Sequence, residues 1–145
     1  MPSNPPVTFE NSDAEPGPLA GFRVLDLTTM ISGPMATCVL GDQGADVIKI
    51  EGPGRGDGLR TIGPSRGGMS AIFTSFNRNK RAMVLDLREP DGVAVLDRLV
   101  AGADVLVQNF RPGAVERMGI DEARYRILHP ELIYVSVSGF GEKGP

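Results

Sequence analysis

The chain has 145 residues, a net charge of −3, one cysteine and one histidine. That length suffices for one domain with a real core, while Cys38 and His129 alone exclude a disulfide framework or a Cys/His zinc cluster. No apolar run approaches the ~20 residues of a membrane span, and the start has neither the basic region nor the apolar segment of a secretory signal, which points to a cytoplasmic protein.

Residues 1–18, rich in proline, polar and acidic side chains, are expected to form a disordered leader. "FRVLDLT" (22–28) then reads as a strand and "PMATCVLGDQG" (34–44) as a helix with Pro34 in its first turn. "DVIKIE" (46–51) is a second strand, followed by the Gly/Arg-rich stretch 52–68. The connection from 52 to 82 is long for a compact domain and is either functional or partly helical, with "MSAIFTSF" (69–76) able to supply a short helix. "MVLDL" (83–87) is a third strand and "PDGVAVLDRLVAGA" (90–103) a helix opened by Pro90, although Glu89 is a poor N-cap. "DVLVQN" (104–109) is a fourth strand, after which helical spacing resumes up to Arg117 and Met118. "DEARYRIL" (121–128) is a helix capped by Asp121 and stopped before Pro130, and "LIYVSVSG" (132–139) a fifth strand.

Strands alternating with helices predict an α/β fold with a mostly parallel, doubly wound sheet, and near-continuous apolar strands fit faces covered on both sides. Ligands of such sheets sit beyond the carboxyl ends of the strands. There "TTMISGP", "EGPGRGDGLR", "DLR" and "QNFRPGAVER" converge, a rim of glycines and arginines suited to an anion or nucleotide. From Gly52 to Arg88, seven cations face two carboxylates, giving +5 there and leaving −8 elsewhere. A basic block in an acidic chain suits a small polyanion, although a solvated arginine-bearing loop is the bland alternative.

Other motifs weigh less. Gly139–Gly144 matches G-x-G-x-x-G, but no helix follows it in the sequence, and "GPGRGDG" lacks the lysine-hydroxyl ending of a P-loop. Asp26, mid-strand, is expected to be structural, Cys38 a small core residue and His129 a helix-capping residue. Met30 and Met118 differ from the other methionines in falling on the rim.

Taken in order, "PLAGFRVLDLTTMISGPMATCVLGDQGADVIKIEGPGRGD", "FNRNKRAMVLDLREPDG", "ADVLVQNFRPGAVERMGI" and "HPELIYVSVSGFGEKGP" resemble the family III CoA-transferases, over residues 18 to 145. The resemblance implies a Rossmann-like domain, 19–145 being its N-terminal part and incomplete relative to the full fold. It implies coenzyme A contacts from Ile31 and Ser32, from Leu85, Asp86, Leu87 and Arg88, from Asn109, Phe110 and Arg111, and from Arg117 and Met118. Coenzyme A and acyl-CoA would be substrates, with no permanently bound cofactor and no metal, and a carboxylic acid would be the acceptor. Gly52 stands where some members carry a basic residue, which shifts any phosphate contact from that loop to Arg55. The family nucleophile is an aspartate downstream of "SGFGEKGP", so no catalytic residue is assigned in this chain, which reads as a truncated portion inactive alone. The whole protein is expected to be an interlinked homodimer, with no nucleic-acid or membrane partner. Three alternatives are an α-methylacyl-CoA racemase, which shares the fold, a non-catalytic CoA-binding module, and an RNA-binding accessory. Only Phe73 and Phe76 are aromatic in the basic block, which disfavours base stacking.

Overall fold

A computed structural model describes residues 16–141. Its main sheet is built from β1 (Arg23–Asp26), β2 (Asp46–Glu51), β5 (Lys80–Val84), β6 (Val105–Gln108) and β7 (Ile133–Ser136), every neighbouring pair running parallel. Their order across the sheet is β5-β2-β1-β6-β7. Numbered along the chain, those five strands run 3-2-1-4-5, so the winding reverses between β1 and β6. The helices α1 (Ser32–Asp42), α3 (Pro90–Val100), α4 (Ala114–Met118) and α5 (Glu122–Leu128) connect them. No described helix is long and apolar enough to cross a membrane.

Period-two alternation sorts the strand side chains onto two different faces. One carries Leu25, Leu27, Ile48, Ile50 and Leu106, packed with Leu96 and Val100 of α3 and Tyr125 of α5. The other carries Val24, Val47 and Val107, with Leu40 of α1 against them. Continuing the alternation on this second face puts Asp26, Lys49 and Glu51 under or beside α1, all buried.

Buried charges are tolerated only when paired and hydrogen-bonded, and these are. Asp26 accepts from Lys80 Nζ at 2.8 Å, from Thr37 Oγ1 at 2.7 Å and from the Thr28 hydroxyl and amide. Lys80 Nζ also donates to Pro34 O and Asn77 Oδ1. Burial pushes the Asp26 carboxyl upward, but Lys49, Lys80 and the hydroxyl bonds outweigh it and hold its pKa below the usual carboxylate value. Asp26 is therefore structural, as its position mid-strand predicts.

The connection after β2 is partly helical. It holds a 3₁₀ turn (Gly58–Thr61), the hairpin β3 (Ser65–Arg66) and β4 (Met69–Ser70), and α2 (Ala71–Asn77) capped by Ser70. Two strands end earlier than their apolar runs suggest, for one reason. Thr28 N–H bonds the Asp26 carboxylate and Arg88 N–H bonds the Asp86 carboxylate, so each aspartate turns the chain out of the ladder. β5 also begins earlier, at Lys80, because Lys80 and Arg81 pair with Val47 and Ile48 of β2.

Asp121 caps α5 through Arg124 N–H, Glu89 precedes α3 without a side-chain cap bond, and His129 occupies the C-cap of α5. Cys38 is buried. The leader expected at the start lies largely outside the described residues, as does the end of the Gly139–Gly144 motif.

Candidate functional site: a rim at the strand ends

The β1/β6 boundary opens between two loops, Leu27–Ile31 and Asn109–Gly113. Asn109 ties them together: its Oδ1 accepts from Thr29 N–H at 2.9 Å and its Nδ2 donates to Thr29 O at 2.8 Å. The side-chain amide thus pairs with a peptide group as a neighbouring strand would. Met30, next along, adopts φ 68°, a left-handed conformation rare for a residue with a side chain.

From the other side, the loop after β2 closes on the same turn. Asp57 Oδ1 accepts from Met30 N–H and from Leu59 N–H, each at 3.0 Å. The Asp57 amide donates to Glu51 Oε1, and Asp57 Oδ2 lies 3.1 Å from Lys49 Nζ. Lys49 Nζ donates to Thr28 O at 2.8 Å. Arg60 pairs with Glu51 and lies 3.9 Å over the Phe73 ring. Burial raises the Glu51 carboxyl, and Arg60 with the Asp57 amide more than reverses it, so its pKa is lowered.

These bonds change the reading of the basic block. Arg60 pairs with Glu51, Arg78 with Asp42, Lys80 with Asp26, Arg81 with Asp46 and Arg88 with Asp86. Five of the seven cations between Gly52 and Arg88 thereby have carboxylate partners within the chain, those of Arg78, Arg81 and Arg88 at the surface; Arg55 and Arg66 have none among the described residues. The block is mostly internal bracing. Sequence inspection finds the charges and misses their partners, which lie up to 54 positions away.

Two of the clefts beside α4 hold residues singled out in the sequence. The larger, about 700 Å³, lies between the start of α3 and one side of α4, with Leu87, Arg88, Val93, Arg117 and Met118 on its walls. The smaller, about 260 Å³, lies on the other side and includes Phe110, Arg111 and Ser138. α4 is bracketed by Gly113 at φ 79° and Gly119 at φ 65°, left-handed turns that favour glycine. A Cβ on Gly113 would stand 3.1 Å from Arg117 Nη1, so the guanidinium folds back over the helix start.

Of the cleft cations, Arg124 is held by Asp97 through two bonds of 2.7 Å, and Arg88 by Asp86. Bonds from the Arg88 side chain and backbone hold the Asp86 carboxyl down at about 2. Arg117 and Arg111 make no ion pair among the described residues. An unpaired guanidinium beside Met118 and Val93 offers one charged and one apolar surface, which suits a phosphate-bearing ligand with an apolar portion.

The structure brings Leu87, Arg88, Arg117 and Met118 into one cleft and Phe110 and Arg111 into the other. Ile31 and Ser32 are exposed at the start of α1, across the β1/β6 boundary. Leu85 packs against the core, Asp86 is bound to Arg88, and Asn109 spends both polar atoms on Thr29. Asp57 and Lys49 escape sequence reasoning; the available signal was a lysine inside the otherwise apolar "VIKI".

An open parallel sheet of order 3-2-1-4-5, with arginines beyond its carboxyl edge and a chain reversal at its centre, is the class that binds nucleotide-like ligands at that edge. Residues 19–145 match CoA-transferase family III, and the chain belongs to that family. It is 45% identical over 137 residues to an acetyl-CoA:oxalate CoA-transferase of Acetobacter aceti, covering 94% of this chain and 35% of that protein. It is 43% identical over 129 residues to a human succinyl-CoA:glutarate CoA-transferase, covering 88% of this chain and 30% of that one. A CAIB/BAIF family protein from Brucella suis superposes with a TM-score of 0.84 at 40% identity, over 90% of this chain and 36% of that one. The chain thus spans about a third of the length of the curated relatives it matches.

Proposed function

We propose that this chain supplies the coenzyme A-binding part of a CoA-transferase, which moves CoA from an acyl-CoA to a carboxylic acid. The observation carrying the reading is Arg117, unpaired on the wall of the larger cleft beside Met118, with Arg88 across from it. Coenzyme A matches that surface: its phosphates suit the guanidiniums, and its adenine and pantetheine portions suit the apolar wall. Ile31, Ser32, Phe110 and Arg111 extend the proposed contact along the rim, and Arg55, in the loop after β2, is a cation without an ion pair among the described residues.

In the whole protein, an aspartate beyond the Gly139–Pro145 segment would serve as nucleophile. Its carboxylate attacks the thioester carbonyl and expels the CoA thiolate, leaving an aspartyl–acyl anhydride. The thiolate then attacks the aspartyl carbonyl and releases the donor carboxylate, giving an aspartyl–CoA thioester. An acceptor carboxylate repeats the two steps in reverse order and leaves with the CoA. Of the carboxylates near this rim, Asp57 is held by Lys49, Glu51 by Arg60 and Asp86 by Arg88. The Acetobacter aceti and human relatives named above are CoA-transferases, which favours transfer over racemisation at the α-carbon. With this reading go a cytoplasmic location and an interlinked homodimer of the whole protein.

Isothermal titration of CoA into the chain tests the site. Arg117→Ala is expected to weaken binding about 10- to 100-fold, the range for losing one charge-assisted contact of about 1.5–3 kcal/mol. Arg98→Ala, removing an unpaired cation from the last turn of α3, is expected to leave the affinity unchanged. Equal affinities for wild type and Arg117→Ala would refute the assignment.

A further inference from the structure

We infer that Asp57 is a positioning residue for the coenzyme A site, acting through the Thr29–Ile31 turn that it does not itself extend into the ligand. The inference rests on the reading above that this rim takes CoA.

α1 begins without a cap of its own. The residue before it is Ile31, no side chain bonds its first amides, and its first turn has no acidic residue. An 11-residue helix with no N-terminal signal needs its start fixed from outside. The preceding residue, Met30, sits at φ 68°, a conformation that costs free energy and persists only where surroundings impose it.

Those surroundings are two clamps on consecutive residues. Asn109 holds both polar groups of the Thr29 peptide from the β6 side. Asp57 holds Met30 N–H from the β2 side, and Lys49, its ion-pair partner, holds Thr28 O. Asp57 is completely buried and is itself fixed by its amide bond to Glu51. Its loop also presses on the Met30 side chain: a Cβ on Gly58 would lie 3.1 Å from Met30 Sδ. The carboxylate therefore determines where the chain leaves the turn and where Ile31 and Ser32 stand on the rim. A loop that reads as a solvated Gly/Arg segment is the template for the first helix of the ligand site.

The test uses the 145-residue chain, with CoA affinity by calorimetry and amide exchange at Met30 by NMR. Asp57→Ala is expected to speed Met30 exchange at least tenfold and weaken CoA binding about tenfold, the scale of losing one hydrogen bond's worth of organisation. Asp57→Asn keeps an acceptor for Met30 and is expected to restore affinity to within about threefold of wild type. Val24→Ala, in the buried part of β1 away from the rim, controls for stability: its unfolding midpoint falls while the CoA affinity stays. Should Asp57→Ala not fold, Asp57→Ser, which keeps a polar group but is too short to reach Met30 N–H as the carboxylate does, is read in its place and is expected to lower affinity likewise. Wild-type affinity in Asp57→Ala, or in Asp57→Ser where that replaces it, overturns the inference and leaves the CoA reading standing. No binding by the wild type would instead overturn the site reading, and this inference with it.

Discussion

Replacing Asp26 by alanine is expected to cost about 3–5 kcal/mol of folding stability, read from urea unfolding, because it strands a buried cation. The Lys80 side chain is 1% exposed, and Asp26 Oδ2 is its only anionic partner among the described residues. The acceptors left to it, Pro34 O, Thr37 Oγ1 and Asn77 Oδ1, are neutral. Lys49, also buried, loses the attraction of the same carboxylate. Coulomb attraction at such distances is strong in a dry interior and is partly cancelled by desolvation of both ions, so the net worth of the intact pair is modest. Breaking it is what costs, since the desolvation of Lys80 remains without compensation. A loss under about 1 kcal/mol would mean that water reaches the ammonium.

The same residue sets an acid limb. The folded Asp26 pKa lies below its unfolded value, so its contribution is fully present above the unfolded value. It is lost as pH falls through the folded pKa, where the native carboxylate finally protonates. In Asp26→Ala that portion of the acid dependence should vanish, giving a flatter stability profile below about pH 4.

Gly92→Ala is the second large effect, expected at about 3 kcal/mol or more. A Cβ there would fall 2.0 Å from Asp86 O and 2.8 Å from its carbonyl carbon, both backbone atoms that cannot rotate away. Relief requires the first turn of α3 to move off the Leu85–Arg88 turn, which carries Leu87 and Arg88 into the larger cleft. The thermal midpoint and the CoA affinity should therefore fall together. Gly102→Ala is the contrast, since its Cβ would meet only Arg23 Nη1, at an ordinary 3.6 Å. If both variants melted alike, close approach at Gly92 would not be what holds α3.

What could be seen in the sequence follows the range of the interactions involved. The central strands show as apolar runs because both faces of the sheet are covered there, and Val24, Leu25, Val47, Ile48, Leu106 and Val107 are buried, whereas the edge strands β5 and β7 are partly exposed. The strand ends were less visible, since Asp26 and Asp86 end β1 and β5 through their own side chains. Arg117 and Met118 follow from the resemblance alone, and the cleft they share depends on how α3 and α4 sit side by side on one face of the sheet. In the sequence Asp57 is indistinguishable from the rest of a Gly-rich loop, because nothing local shows that Lys49, eight positions back, ends 3.1 Å away in the interior. Gly92 gave no warning either, as a glycine in the first turn of a helix has several possible reasons.

The Asn109–Thr29 pair joins positions 80 residues apart. Closing so long a loop carries an entropic cost that is met only once β1 and β6 lie side by side. The rim is therefore a property of the assembled sheet, and any partly folded chain in which those strands have not met lacks it. A ligand bound there discriminates between complete and incomplete chains, and by mass action it raises the free energy of opening the whole β1–β6 seam. Protection on binding should then spread to amides of both strands, far beyond the atoms the ligand touches.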